Sequence, residues 1–170
     1  WILENAESNK FVMMDDDLTF AYRKQQTGTQ LHKAGMENVL DMFNTIETNL
    51  EHYIHVGISA REGNNRIAAE TKTVTRMMRL LAYNKQEVLN TGARFDRIDT
   101  KQDFDMTLQL LRKGHKNLVL YNFANRCSHE LVKLHPEFVK VVEKTTKTSW
   151  GGGVRTDVRI AWKKAYESYT

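Results

Sequence analysis

The 170-residue sequence is poor in residues that cross-link a chain or interrupt its secondary structure. It has one cysteine, Cys127, and one proline, Pro136. A single cysteine excludes both an internal disulfide framework and a four-cysteine zinc site. No apolar run approaches the length that crosses a bilayer, and the first residues lack a signal-peptide pattern. We therefore expect an intracellular, cytoplasmic protein with no membrane partner.

The sequence also lacks repeats, low-complexity tracts and proline-rich linkers, which are features that mark domain boundaries. Hydrophobic residues make up 41% of the chain and charged residues 27%, so its length suffices for one domain with a sizeable core. We predict a single domain over residues 1–170. Because the first residue is Trp1 rather than methionine, we expect that the chain is either a fragment or lacks its first residues.

Negative charge is scarce in the last third of the chain, and the formal net charge of the whole is +4. From Lys133 to Lys164 there are eight Lys or Arg residues and three acidic ones. Lysine and arginine neutralise phosphates, so a basic C-terminal part, about residues 128–170, fits a phosphate-bearing partner. The alternative is a set of ordinary solvated helix faces, and the charge alone favours that interpretation.

Hydrophobic periodicity predicts strands alternating with helices, which indicates an α/β domain. Strands are predicted at 11–14, 55–59, 76–84 and 117–123. Helices are predicted at 35–53, 102–114, 135–144 and 158–169. The polar segments 23–33 and 60–73 are predicted to be loops. In the first helix, helical spacing selects an apolar face of Met36, Val39, Leu40, Phe43, Ile46, Leu50 and Tyr53.

Three adjacent aspartates follow the first predicted strand, where "FVMM" runs into Asp15, Asp16 and Asp17. Adjacent carboxylates repel one another, and a bound divalent cation such as Mg²⁺ or Mn²⁺ would offset that repulsion. Ligands of α/β proteins bind outside the carboxyl ends of strands, which is where this turn is placed. We predict a metal site formed by the D-x-D pair Asp15 and Asp17, with Asp16 beside them. The alternative is a solvated acidic turn.

A second acidic cluster, Asp103 and Asp105, opens the predicted helix at 102–114. The helix dipole favours carboxylates at this end, so one interpretation is simple charge complementarity with Asp103 as the cap. A second interpretation comes from the wider pattern "QDFDMTLQLLRKGHKNLVL". It resembles the "E-D-x-D-L-x-x-R-L-x-x-x-G-Y" segment of inverting GT-A glycosyltransferases. By that resemblance Asp103 is the catalytic base and Asp105 the next candidate, with Gln102 in place of the usual glutamate.

Four segments give a narrower resemblance: "MMDDDLTF", "HVGISAREGNN", "ARFDRIDTKQDFDMTLQLLRKGHKNLVLYNFA" and "WGGGVRTDVRIAWKKAY". From about Asn9 to Tyr166 the chain resembles the TET-associated glycosyltransferase family. Members of that family are largely phage enzymes, inferred to add sugars to hydroxymethylated pyrimidines in DNA. The resemblance therefore implies an inverting hexosyl or pentosyl transferase in the cytoplasm of a phage-infected bacterium.

The resemblance also implies a fold and a set of ligands. The fold is α/β, a GT-A-like Rossmann-type mixed sheet flanked by helices. Its ligands would be Mn²⁺ or Mg²⁺ on the D-x-D pair, a nucleotide-sugar donor such as a UDP-sugar, and DNA with a hydroxymethylated pyrimidine. GT-A enzymes often complete the metal sphere with a histidine near the C-terminus, which is His129 here unless that histidine is structural. The βαβ half that precedes D-x-D in GT-A enzymes has no counterpart, so either the chain is truncated or a shorter fold manages without it.

The loop "SAREGNNR" supplies candidate contacts to substrate. Arg61 has the charge to pair with a phosphate, and Asn64 and Asn65 have the amide geometry that binds base edges or sugar hydroxyls. The alternative is an ordinary surface turn rich in Asn and Gly.

The segment "SWGGGVRTD" supplies further candidates near the C-terminus. Gly151 and Gly152 expose backbone N–H groups to a phosphate, and Arg155 adds positive charge. Trp150 either stacks on a base or covers an edge of the core. The segment lacks the Lys-Ser/Thr ending of a P-loop, so as a phosphate motif it is weak.

Two other function classes compete with the glycosyltransferase. One is a non-catalytic DNA-binding module in which the acidic clusters are structural. It is disfavoured because a DNA-binding surface gains nothing from carboxylates beside it. The other is a different divalent-metal enzyme acting on nucleic acid, such as a nuclease, which the pattern around Asp103 disfavours.

Overall fold

The computed structural model describes residues 1–25 and 28–127, and residues Trp1–Cys127 form one compact unit. The predictions made for residues 128–170 lie outside the described residues. They are the basic C-terminal part, the helices at 135–144 and 158–169, and the site candidates His129, Trp150, Gly151, Gly152 and Arg155.

Seven strands form one open mixed sheet in the order β1-β6-β4-β7-β2-β3, with β5 paired to β7. The strand β4 runs parallel to β7, and the other pairs are antiparallel. The bounds are β1 (Lys10–Met14), β2 (Leu18–Arg23), β3 (Leu31–Lys33), β4 (His55–Ala60), β5 (Thr71–Thr73), β6 (Leu80–Asn84) and β7 (Leu118–Cys127).

Helices cover both faces of this sheet. They are α1 (Ile2–Asn5), α2 (Met36–Asn49), α3 (Lys85–Thr91) and α4 (Gln102–Arg112). Alternation along β6 separates two cores, because Leu80 and Ala82 pack on the side of α2, while Leu81 and Tyr83 pack on the side of the other three helices. The predicted mixed α/β sheet flanked by helices is confirmed, and it is consistent with a GT-A-like fold.

The buried face of α2 differs from the predicted one. Ile46 and Leu50 are buried as expected, and Met42, which the prediction omitted, is 1% exposed. Met36 and Leu40 are wrong members of the face, because they are 75% and 56% exposed. The buried stripe therefore begins later along the helix than its apolar spacing indicated.

Four other elements differ from the sequence predictions. The segment 23–33 is not all loop, because Arg23 ends β2 and residues Leu31–Lys33 form β3. Likewise the short strand β5 and a 3-10 turn, Asn64–Arg66, lie inside the predicted loop 60–73. The predicted strand at 76–84 begins only at Leu80. The helix α3 was not predicted, although Asn84 caps its start and Gly92, at φ +68°, ends it.

A glycine in the middle of β4 lets the segment before β6 pass close to the sheet. A Cβ on Gly57 would lie 2.8 Å from Met77 Sδ and 2.9 Å from the carbonyl oxygen of Leu80. No side chain fits there without a shift of the backbone. In the part of the chain that the structure describes, no helix has both the length and the apolar character that a bilayer span requires.

Candidate active site

One edge of the sheet collects several of the predicted site residues. The strands β1, β4 and β7 share one direction, so their carboxyl ends meet at this edge, where the antiparallel β2 begins. The turn of Asp15, Asp16 and Asp17 joins the end of β1 to the start of β2. Only residues 113–117 separate α4 from the amino end of β7, so the helix runs back along the sheet and begins near the same edge. The topology thus brings the acidic turn toward Asp103.

Three possible metal ligands lie together at this edge. Ligand atoms of Asp15, Asp17 and Cys127 are all within 4.8 Å of one another. The side chains of Asp17 and Cys127 are half-buried, whereas Asp15 and Asp16 are exposed. The predicted D-x-D pair is therefore in place, while Asp16 does not belong to this group of ligand atoms. Two carboxylates and a thiol fit a divalent cation chemically.

The electrostatics of Asp15 connect the two acidic clusters. Asp15 is exposed as a residue, but its carboxyl group is partly buried. The pKa of Asp15 is raised above the ordinary aspartate value, first by this partial burial and next by the charge of Asp17. Arg79 acts in the opposite direction, while Asp103 and Asp16 raise the pKa further. Asp103 is therefore close enough for its charge to act on Asp15. The acidic turn and the start of α4 belong to one electrostatic site.

Asp103 lies in the first turn of α4 but does not cap the helix. The cap residue is Lys101, in a left-handed conformation with φ +62°. One carboxylate oxygen of Asp103 accepts a hydrogen bond of 2.9 Å from the backbone N–H of Phe104. The hydroxyl of Thr107 donates to the backbone carbonyl oxygen of Asp103, at 2.9 Å, and not to its carboxylate. The half-buried carboxylate thus keeps acceptor capacity for another group.

Asp105, the other catalytic candidate, is held by protein groups. Its Oδ2 accepts a 2.7 Å hydrogen bond from Gln109 Nε2, and Arg97 Nη1 lies 3.6 Å from its Oδ1. Gln109 in turn accepts from the backbone N–H of Arg94 at 3.1 Å and donates to the carbonyl oxygen of Arg94 at 2.7 Å. Asp105 therefore helps to fasten the segment before α4 to the helix.

Arg79 is a site residue that the sequence analysis missed. It has φ +70°, a conformation that residues other than glycine rarely adopt, and its side chain is 10% exposed. Its Nη1 lies 3.5 Å from Glu62 Oε2, and its carbonyl oxygen accepts a 2.9 Å hydrogen bond from the N–H of Asp15. The only signal in the sequence is a charged residue within the apolar run of segment 76–84.

The loop after β4 divides its predicted contact residues between solvent and interior. The side chains of Arg61 and Asn65 are exposed. Asn64 is 1% exposed, and its Nδ2 donates to the carbonyl oxygen of Tyr121 at 2.9 Å and to the hydroxyl of Ser59. Its Oδ1 accepts from Arg23, with Nε at 3.0 Å and Nη2 at 2.8 Å. In this structure the Asn64 amide is engaged by protein groups and does not face solvent.

The comparisons with known proteins identify a family. A family model described as TET-Associated Glycosyltransferase matches residues 1–131. The chain belongs to that family. The family name indicates glycosyltransferases, which transfer a sugar from a donor to an acceptor. A search of curated proteins and a search of solved structures each gave no match.

Proposed function

We propose that this member of the TET-associated glycosyltransferase family is a metal-dependent, inverting enzyme. It moves a sugar from a nucleotide-sugar donor, such as a UDP-sugar, to the hydroxyl of a hydroxymethylated pyrimidine in DNA. The observation that carries the proposal is the convergence of two acidic clusters, in which Asp103 acts electrostatically on Asp15 beside Asp17. The clusters lie more than 80 residues apart in the sequence, so only the fold unites them.

Each cluster has a chemical task in this proposal. Asp15 and Asp17 would hold a divalent ion, whose charge stabilises the diphosphate leaving group of the donor. Asp103 would accept the proton of the acceptor hydroxyl as the oxygen forms its bond to the anomeric carbon. The bond between that carbon and the donor phosphate breaks on the opposite face of the sugar, which inverts the anomeric centre.

Positive groups at the same edge suit the phosphates of both substrates. Arg79 already opposes the charge of Asp15, and Arg61 is exposed at the end of β4. In the proposal Arg61 and Asn65 face the acceptor, while Asn64 shapes the loop from within. DNA contacts from Trp150, Gly151, Gly152 and Arg155, and metal ligation by His129, stay predictions from the sequence.

A DNA-binding module without catalysis is less well supported. Phosphates are repelled by carboxylates, and partial burial together with the neighbouring carboxylates already raises the pKa of Asp15. A protein that only binds DNA would gain nothing from keeping Asp15, Asp17 and Asp103 together. An enzyme that binds a cation and removes a proton needs such a cluster.

The direct test is a product assay. The protein would be incubated with Mn²⁺, DNA containing 5-hydroxymethylcytosine or 5-hydroxymethyluracil, and a panel of nucleotide sugars, followed by nucleoside mass spectrometry. We expect one glycosylated nucleoside, none with unmodified DNA, and none when the metal is chelated. If the folded protein binds Mn²⁺ but glycosylates neither DNA with any donor of the panel, the proposed reaction is wrong.

A further inference from the structure

The metal-ligand group includes a sulfur atom as well as carboxylates. Cys127 ends β7, and the register of the sheet pairs it with Leu18, which directly follows Asp17. The ladder between β2 and β7 therefore fixes the thiol beside one carboxylate of the turn. The other carboxylate is fixed by the hydrogen bond from the N–H of Asp15 to the carbonyl oxygen of Arg79. Backbone hydrogen bonds thus position the end of β7 and the turn before an ion arrives.

The spacing of these atoms matches a single coordination sphere. Divalent ions such as zinc bind carboxylate oxygens at ~2.1 Å and thiolate sulfurs at ~2.3 Å, so ligands of one ion lie about 3 to 4.5 Å apart. The oxygen atoms of Asp15 and Asp17 and the sulfur of Cys127 are within 4.8 Å of one another. Small side-chain movements would bring all three onto one ion.

We propose that the thiolate of Cys127 is a protein ligand of the active-site metal, together with Asp15 and Asp17. The inference rests on the metal-dependent function proposed above and adds a determinant of metal choice to it. Thiolate sulfur is a soft ligand, and Mg²⁺ is a hard ion that prefers oxygen. The mixed set therefore favours Mn²⁺, Co²⁺, Zn²⁺ and Cd²⁺ over Mg²⁺.

Cobalt spectroscopy tests the sulfur ligand without an activity assay. A thiolate bound to Co²⁺ gives an intense charge-transfer absorption in the near ultraviolet, whereas carboxylate and imidazole ligands do not. Because Cys127 is the only cysteine of the chain, this band has one possible origin. We expect the band in the full chain with Co²⁺, its loss in Cys127→Ser, and its retention in the control Asp16→Asn.

Metal affinities provide a second measurement. Removing a metal ligand should weaken Cd²⁺ binding by about 10-fold or more, since changes to residues that merely support ligands already cost that much. The affinity for Mg²⁺ should change much less in Cys127→Ser, because magnesium gains little from sulfur. An equal loss for both ions would indicate general damage to the site and would overturn the inference.

The outcomes separate this inference from the proposed function. If Co²⁺ binds to the unaltered protein without a charge-transfer band, Cys127 is not a ligand, while the metal site of Asp15 and Asp17 stands. If no divalent ion binds at all, the metal-dependent function fails as well. Should Cys127→Ser not fold, alkylation of the unaltered protein decides. Bound Cd²⁺ should slow the modification of Cys127, and an unchanged rate would overturn the inference.

Discussion

Two polar segments lie at the same edge of the sheet. They differ in whether the protein itself supplies partners for their polar side chains. In the loop after β4, Asn64 is buried and every polar atom of its amide has a partner within the protein. In the turn after β1, Asp15 and Asp17 lie beside each other, and the pKa of Asp15 is raised by partial burial and by the charge of Asp17. The Asn64 amide has all its hydrogen bonds within the protein, whereas the carboxylates of Asp15 and Asp17 repel each other.

This difference distinguishes a residue that supports the fold from residues that could bind a ligand. A buried amide with all its hydrogen bonds stabilises a loop and leaves no capacity for a ligand. Clustered carboxylates cost stability unless a cation or a proton offsets their charge. In the function proposed above the charged pair binds the metal ion, and Asn64 supports the loop after β4.

The largest effect should come from the proposed base. Asp103→Asn keeps the size of the side chain and removes its ability to take a proton. Sugar transfer should fall by about 100-fold or more, while Mn²⁺ and donor binding stay within a few-fold of normal. Rates from the mass-spectrometric assay and binding from calorimetry would be measured on the same preparations.

Asp105→Asn is the matched control for that experiment. Its carboxylate bonds Gln109 and lies near Arg97, so its loss should lower the thermal midpoint more than the chemical rate. Normal transfer by Asp103→Asn, combined with a rate collapse in Asp105→Asn, would move the role of base to Asp105.

Metal binding should distinguish the members of the acidic turn. Asp15→Asn and Asp17→Asn should each weaken Mn²⁺ binding by about 10-fold or more, whereas Asp16→Asn should change it little because Asp16 is outside the ligand group. The three variants differ by the same chemical change at adjacent positions. Calorimetric titration with Mn²⁺ gives the comparison, and equal losses in all three would show that bulk charge rather than ligation holds the ion.

The variants Asp15→Asn and Asp17→Asn also test whether these two carboxylates repel each other. Neutralising Asp15 or Asp17 relieves a like-charge contact, so neither change should lower the thermal midpoint of the metal-free protein. A clear loss of stability in the absence of metal would mean that the turn has a structural role that the carboxylates themselves support.

Among these variants, the free energy of unfolding should change most when Asn64, in the loop after β4, is replaced. Asn64→Ala leaves the Tyr121 carbonyl, the Ser59 hydroxyl and part of Arg23 without their partner, and we expect a loss of about 3 kcal/mol in the free energy of unfolding. The neighbouring Asn65→Ala changes an exposed side chain and should have an effect within about 0.5 kcal/mol. Urea denaturation measures both, and equal small effects would contradict the scaffold role of Asn64.

The sequence predicted the parts of the fold that strong periodicity encodes. The helices α2 and α4 and the strands β1, β4 and β7 were predicted close to their observed positions, since each has a clear apolar pattern. The strands β2, β3 and β5 were missed. The strands β3 and β5 are three residues each and mostly polar, and β2 and β5 both pair with β7, which lies far away in the sequence. Only the fold supplies the partners that make such segments into strands.

Likewise, the sequence predicted some residues of the candidate site and not others. A local motif identified Asp15 and Asp17, because three adjacent carboxylates need an explanation in any structure, whereas the predicted role of Asp103 came from the resemblance to GT-A glycosyltransferases. The position of Arg79 beside Asp15 and of Cys127 beside Asp17 depends on strand register, which no local pattern reveals. From the sequence, Asn64 was known to carry an amide group, but not that this group points into the protein. In the structure the amide oxygen accepts a hydrogen bond from the partly buried side chain of Arg23.

A third kind of polar group is buried at the amino end of β4 and predicts a smaller, pH-dependent effect. His55 is 1% exposed, stacks on Tyr83 with ring centroids 4.3 Å apart, and has no hydrogen-bond partner for either ring nitrogen among the described residues. Burial lowers its pKa to about 3 in the folded protein, against 6.5 for an ordinary histidine. The folded state therefore excludes a proton that the unfolded chain binds.

The sign of the effect follows from that difference. Above pH 6.5 neither state protonates His55, so its contribution to stability is complete there. As the pH falls below 6.5, proton binding favours the unfolded chain, and the loss continues until the folded state is protonated near pH 3. His55→Phe keeps the stacking on Tyr83 and removes the titration. Between pH 8 and pH 5 the unaltered protein should lose about 2 kcal/mol more stability than the variant, measured by urea denaturation at each pH. Parallel losses in the two proteins would show that His55 is protonated in the folded state, and therefore that its nitrogens reach a partner or water.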